Sequence, residues 1–432
     1  MLLLNQFSLI GGAVVGRRLV ALAAGTALVV AAAGCSSGGG DDPDGPAELL
    51  MWTTGSDDDA TTFQQAADLY TEQSPDVTIT VQANSWDDSH ARILSAASAG
   101  EGPDIITGGL SWGIEFGRLG GMIDLRDHGI DEITNNIPVD LMRSVISPGG
   151  EVYGIPIRTD LNALIYRTDL LAEIGYDQPP QDWDELVDVI ARLHDELDIN
   201  TPFLLAWKNP LWLQYFNYNR QAGGSFYSDD CSQVTIDDPA GVMALEFFRD
   251  LHESYWVPTG DVEIPPALAS GEAAMGSDGS WQLGGIESGQ PDLVGKWASA
   301  PLPAGPAGHG SFIGGQIAGI MSYSDNADTA ADFLRFLYTE QATEAVVNQA
   351  YNLGILFVPA RTDQLPLLPV EDHIMTTLQQ SYELAAEGPP PCSGWEESQN
   401  DVHTQLEAVL LEGKDPATAL RDAAEVMRTN LG

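Results

Sequence analysis

Between residues 149 and 171 the chain reads GGEVYGIPIRTDLNALIYRTDLL. The pattern is a Gly-Gly turn, a short β-type segment over 152–157, a polar interruption at Arg158, Thr159 and Asp160, and an apolar run over 161–166. It predicts a strand that carries the chain from one lobe to another, because about 110 residues of alternating strand and helix precede it and a new group of helices follows. Asp160, Thr159 or Asn162 on such a strand faces the cleft between lobes, where small-molecule sites gather.

Upstream, residues 48–53 read as a first strand. Polar cap residues over 57–62 open a helix with Phe63, Ala66, Ala67 and Tyr70 on one face, and Ser74-Pro75 stops it. Residues 77–81 alternate as a strand, 86–99 place His90, Ile93, Leu94 and Ala97 at helical spacing, and a turn at 100–104 leads into the buried strand at Ile105-Ile106. This is a doubly wound α/β pattern, whose crevice lies beyond the carboxyl ends of the strands and is rimmed by the loops 53–57 and 108–112.

Downstream, residues 179–183 cap a helix bearing Trp183, Leu186, Ile190 and Leu193. A strand over 201–207, an aromatic-rich helix over 209–222 and a helix from Asp238-Pro239 to Leu251 follow. Residues 268–275 lead into a loop over 276–281. Second and third crossings are expected over 296–302 and 353–359, with a strand over 313–321 and a helix over 327–337 between them; three helices finish the chain.

Composition narrows the function. At 432 residues, 44% apolar and 19% charged, the chain fits two globular lobes. It carries 63 acidic against 18 basic side chains, and its lysines are Lys208, Lys296 and Lys414. Nucleic acid and anionic membrane surfaces are thereby excluded as partners, since the phosphate term is repulsive. So acidic a surface serves solubility, most usefully in a salty external medium. The run Asp57-Asp58-Asp59 lacks the ligand spacing of a calcium loop and reads as a solvated helix start, so neither metal nor cofactor is expected.

Arg17-Arg18, the apolar run 19–33 and Ala32-Ala33-Gly34-Cys35 have the order of a secretory signal, too short for a spanning helix. The last four residues resemble the lipobox of a bacterial lipoprotein, which implies a signal peptide over 1–34, lipid on Cys35 and an extracytoplasmic protein anchored to the outer face of the membrane. Residues 1–16 hold no basic residue, so translation is expected to begin downstream, near Val15; the paired arginines raise a twin-arginine export route. Residues 35–46 form a flexible tether.

Several further motifs recur in order. They are Gly100-x-Gly102-Pro103-Asp104-Ile105, Gly154-Ile155-Pro156 with Leu164-x-Tyr166-x-x-Asp169-Leu170-Leu171, Pro180-x-x-Trp183-x-Glu185-Leu186, Ala273-Ala274-Met275-x-x-x-Gly279-x-Trp281, and Ala331-x-Phe333-Leu334. Together they resemble the extracellular solute-binding proteins of ABC importers, in the sugar-binding group that includes maltose-binding protein. The resemblance implies an α/β, two-lobed periplasmic-binding-protein-like (type II) fold with three interlobe crossings and a central ligand cleft that closes by a hinge. It divides the chain into lobe 1 (47–156 and 301–356) and lobe 2 (157–300 and 357–432). It further implies a monomer that hands a neutral di- or oligosaccharide to the transmembrane subunits of a permease.

Ten tryptophans suit that ligand, since a sugar's C–H face stacks on indole while its hydroxyls need carboxylate and amide partners. By position, the resemblance makes Trp281 and Trp395 stacking residues, each with core packing as the alternative. Asp160 matches a hydroxyl-binding acid, or is a polar hinge residue bonded to backbone. Asn209 stands where the family has an acidic contact. Asp57, Ser111 and Trp112 match by loop only, Trp86 is a rim candidate and Trp212 sits in a cleft segment. Trp183 and Trp256 read as core. Cys231 and Cys392 read as one disulfide in an exported domain, and under the family fold both belong to the second lobe.

No G-x-S-x-G elbow, P-loop, H-E-x-x-H or zinc-type Cys/His spacing occurs, so enzyme signatures are thin. Two alternatives stay open. One is a secreted glycoside hydrolase, since 63 carboxylates always offer a pair; the other is a binding protein for glycerol phosphate, a polyamine or a peptide, with Arg158 well placed for a phosphate.

Overall fold

The computed structural model describes residues 46–207, 210–384 and 386–431. The expected signal, Cys35, most of the tether and Asn209 lie outside the described residues. Local signals explain many of the elements. Ser56 accepts from the Asp59 N–H while the Asp59 side chain reaches back, a capping box that starts the helix Asp57–Gln73. Ser85 and Asp182 cap the helices Trp86–Ala99 and Trp183–Leu197 by accepting from the N–H groups of Asp88 and Glu185.

The strands are β1 (Ala47–Thr54), β2 (Val77–Asn84), β3 (Ile105–Gly109), β4 (Ile155–Arg167), β5 (Phe203–Leu205), β6 (Met275–Gly279), β7 (Trp297–Pro301), β8 (Ser311–Ile320), β9 (Val358–Pro359) and β10 (Ala386–Glu387). They run in the order β2-β1-β3-β8-β4-β6-β5, with β7 and β9 paired to β4 and β10 to β8. β4 is shared. Its first half, Ile155 to Leu161, pairs antiparallel with β8, and from Asn162 onward it pairs with β6 and β7.

Two hydrophobic cores flank this shared strand. One gathers Met51, Phe63, Ile105, Ile106 and Phe333; the other gathers Trp183, Phe203, Tyr215, Phe248 and Trp395. Among the described residues no helix is long and apolar enough to cross a membrane. A disulfide joins Cys231 to Cys392, with Cα atoms 5.3 Å apart.

Several elements differ from the expectation. The polar stretch Arg158–Asp160 lies inside the strand, as expected, and β4 starts later than residue 152 and carries a register shift between Pro156 and Arg158. Residues 276–279, expected within a loop over 276–281, belong to the buried strand β6, whose ladder bonds to β4 and β5 override the turn preference of Gly, Ser and Asp. β5 and the helix Leu211–Gln221 are shorter than expected, each beginning just after a proline (Pro202, Pro210) that lacks an N–H. Trp256, expected in the core, is 39% exposed and lies stacked on His194 at 3.8 Å. Trp183 is buried and stacks on Phe247.

Candidate functional site

The polar stretch of β4 is the centre of the site. Arg158, Thr159 and Asp160 are all buried. Charge pairing makes this tolerable: Arg158 Nη2 donates to Asp160 Oδ1 at 2.7 Å, and Nη1 donates to Asp59 Oδ1 at 3.2 Å. Burial works against the charge on Arg158, but the two carboxylates hold the guanidinium protonated. Asp59 therefore caps its own helix and anchors the shared strand. Asp57, the residue singled out in sequence, is exposed two positions earlier and takes no part in this triad.

One step along β4, the Leu161 N–H donates to Ser280 Oγ at 3.1 Å, and Asn162 pairs with Gly279. Trp281 folds its ring back over Gly279, where an added Cβ would stand 2.0 Å from the indole. Only glycine admits that approach. The half-buried Trp281 ring thus stands beside the segment of β4 that bears Asp160 and Asn162.

A second tryptophan is held in the same manner. The Trp112 ring lies over Gly108 and Gly109, and Trp86, His90 and Phe116 meet it at centroid distances of 5.7, 5.1 and 6.2 Å. Trp86 is 47% exposed, at the rim. Ser111 Oγ donates to Glu396 Oε1, the Trp112 indole faces the same carboxylate, and Gln399 Nε2 donates to Glu396 Oε2 at 2.7 Å. Trp112 belongs to the first core and Trp395, next to Glu396, to the second, so this cluster bridges the two cores.

Trp395 itself is 1% exposed. Trp212 meets it edge-on at 5.0 Å, Phe226 at 5.4 Å and Tyr227 at 6.4 Å, and its indole N–H has no partner among the described residues. Trp212 is also buried and meets Phe312 at 5.6 Å. Both rings are packed inside the second core in this arrangement, and neither presents an open face.

The structure therefore sets Trp281 beside the segment of β4 that bears Asp160, and separately links Ser111 and Trp112, with Trp86 at their rim, through Glu396 to the neighbouring Trp395 and Trp212. Sequence reasoning missed Asp59 and Glu396. The Ser56–Asp59 capping box is a local signal that could have singled out Asp59; the Ser111–Glu396 contact spans 285 residues and leaves no local trace. Among the described residues no group of three or more His, Cys, Asp or Glu side chains is arranged to hold a metal. A cavity of about 210 Å³ lies elsewhere, lined by Leu283, Glu287, Trp297, Tyr351, Glu371 and Ile374, and contains none of the candidates.

With this geometry in hand, a model of the bacterial extracellular solute-binding proteins matches residues 54–344. The chain belongs to that family. A probable ABC transporter-binding protein of Deinococcus radiodurans is 27% identical over 251 residues, 55% of this chain and 59% of that protein. The lactose-binding protein of Rhizobium radiobacter is 27% identical over 310 residues, 64% of this chain and 67% of that one. Among solved structures, an ABC transporter solute-binding protein of Thermotoga lettingae bound with α-D-tagatose superposes with a TM-score of 0.77 at 25% identity, covering 89% of this chain and all of that one. The family and these neighbours are binding proteins rather than enzymes.

In this solute-binding protein the bridging cluster has a pH consequence. Burial, the largest influence, pushes the Glu396 carboxyl up from its ordinary range. His90 is pulled down by burial, but its hydrogen bond to Glu115 and the charges of Glu115, Glu396 and Glu397 outweigh this and raise it above its ordinary 6.5. Both groups bind protons more tightly here than when unfolded. Their stabilisation is present below the ordinary values and is lost as pH rises through the raised ones. The unfolding temperature is expected to fall between about pH 6 and pH 8, across the histidine range, and Glu396→Gln to flatten the acid side of the profile in scanning calorimetry. Stability that rises over that range would contradict the assignment.

Proposed function

We propose that this chain is the lipid-anchored extracellular receptor of an ABC importer, binding a neutral di- or oligosaccharide between its lobes and delivering it to the permease. Lobe 1 comprises about 47–156 and 301–356 and lobe 2 about 157–300 and 357–432, as two lobes of ordinary domain size. The observation that carries the reading is the half-buried Trp281 ring, set over Gly279 beside the segment of β4 that holds Asp160 and Asn162. An apolar face next to carboxylate and amide groups suits a pyranose, whose ring stacks while its hydroxyls bond at the edges. Relatives that bind lactose and tagatose support the same class. Glycerol phosphate is disfavoured, because Arg158 is already engaged by Asp59 and Asp160. Anchoring rests on the lipobox at Cys35.

Ligand contacts with both lobes favour the closed form, and this differential affinity drives closure. The test is a tryptophan-fluorescence titration of the purified protein with disaccharides, glycerol phosphate, a polyamine and a short peptide, each mixture checked afterwards for breakdown. Saturable, sugar-selective quenching with intact ligand is expected, and Trp281→Ala is expected to weaken it by at least ~1 kcal/mol. Cleaved sugar would replace the receptor by a hydrolase; saturation by a charged solute alone would overturn the ligand class.

A further inference from the structure

The helix Leu211–Gln221 carries four carboxamides, of which Gln214, Asn217 and Gln221 are spaced three and four residues apart on one stripe. Two of them grip the edge of β8. Gln221 Nε2 donates to the Gly310 carbonyl at 2.9 Å, and Asn217 Oδ1 accepts from the Phe312 N–H at 2.8 Å. A helical turn thus advances two residues along the strand, so that as the stripe runs from Gln221 through Asn217 toward Gln214 the strand runs from Gly310 through Phe312 toward Gly314. Gly314 pairs with Asp160 of β4, and a Cβ added to it would lie 3.6 Å from the Asp160 Cβ.

Gln214 is 1% exposed, yet neither its Nε2 nor its Oε1 has a partner among the described residues. Asn162, two positions beyond Asp160 on the same face of β4, is equally buried, and its Nδ2 is also unpartnered. A buried amide left in this state is costly, so each of the two calls for a polar partner.

We propose that Gln214, assisted by Asn162, is a specificity-determining contact of the ligand site, and that its carboxamide takes two adjacent hydroxyls of a neutral carbohydrate. This rests on the sugar-receptor reading above. The chemistry follows from the amide: its oxygen accepts while its nitrogen donates, side by side. Neighbouring hydroxyls each donate and accept, so they satisfy both atoms together. A phosphate satisfies the nitrogen and opposes the oxygen; an ammonium does the reverse.

The experiment is calorimetric titration of the full-length protein and its Gln214→Met variant with lactose, maltose and D-tagatose, together with thermal unfolding of both without ligand. Methionine keeps the volume and removes both polar atoms. Whichever sugar the wild type binds is expected to bind the variant at least about tenfold more weakly, because a contacted hydroxyl pair loses its partners. Discrimination against monodeoxy forms of that sugar is expected to shrink, while the ligand-free unfolding temperature stays level or rises. Unchanged affinity would overturn the proposal and leave the sugar receptor standing, as would a ligand-free variant that is destabilised or fails to fold, since the amide then serves the fold. A wild type that binds no sugar would overturn both.

Discussion

Trp395→Ala is expected to lower the unfolding free energy by about 3–5 kcal/mol, the range for truncating a large buried aromatic. The ring is 1% exposed, and it is met by Trp212, Phe226 and Tyr227. Alanine would open a cavity that these interlocked rings fill poorly. Urea unfolding checks this through a lower midpoint at unchanged slope. A variant of near-normal stability that no longer binds sugar would mean that the ring serves as a ligand platform, the role its sequence position implied.

Arg158→Met is expected to cost a similar ~3–5 kcal/mol, because it strands two carboxylates that the guanidinium now neutralises. Arg158 is 5% exposed and holds Asp160 at 2.7 Å and Asp59 at 3.2 Å. The loss should persist in concentrated salt, unlike that of an exposed pair, since mobile ions screen buried charges weakly. Arg158→Lys should recover only part of it, because a single ammonium cannot reproduce the two-pronged donor. Equal stability of Arg158→Met and the wild type in urea would show that the triad contributes nothing to the fold.

These two sites show what the sequence made legible. The helices beginning at Asp57, Trp86 and Trp183 were legible from spacing and polar starts, and in the structure Ser56, Ser85 and Asp182 cap them by accepting from the N–H three residues on. The strand at β4 was readable from its apolar flanks, but the reason its polar middle is buried was not. What keeps Arg158 in the sheet is a carboxylate 99 residues away, and no local pattern encodes that. Trp395 was singled out as a stacking residue with core packing as the alternative, and its burial depends on Trp212 and Phe226, contributed by distant segments. Trp256 failed in the opposite sense: surrounded by apolar neighbours in sequence, it sits in a left-handed backbone conformation with φ 56° and lies on the surface against His194. Periodicity reports which face of an element is apolar; it does not report which distant group will cover it.

The Cys231–Cys392 bond spans 161 residues, and that span contains β6, β7, β8 and β9, each of which pairs with β4. The partners of the shared strand therefore lie within one closed covalent ring. A protease that cuts the backbone once anywhere in that ring leaves a single molecule of undiminished mass on a non-reducing gel, and only a reductant separates the pieces. Outside the cytoplasm, where such bonds persist, this solute-binding protein can be nicked within that ring without its parts separating.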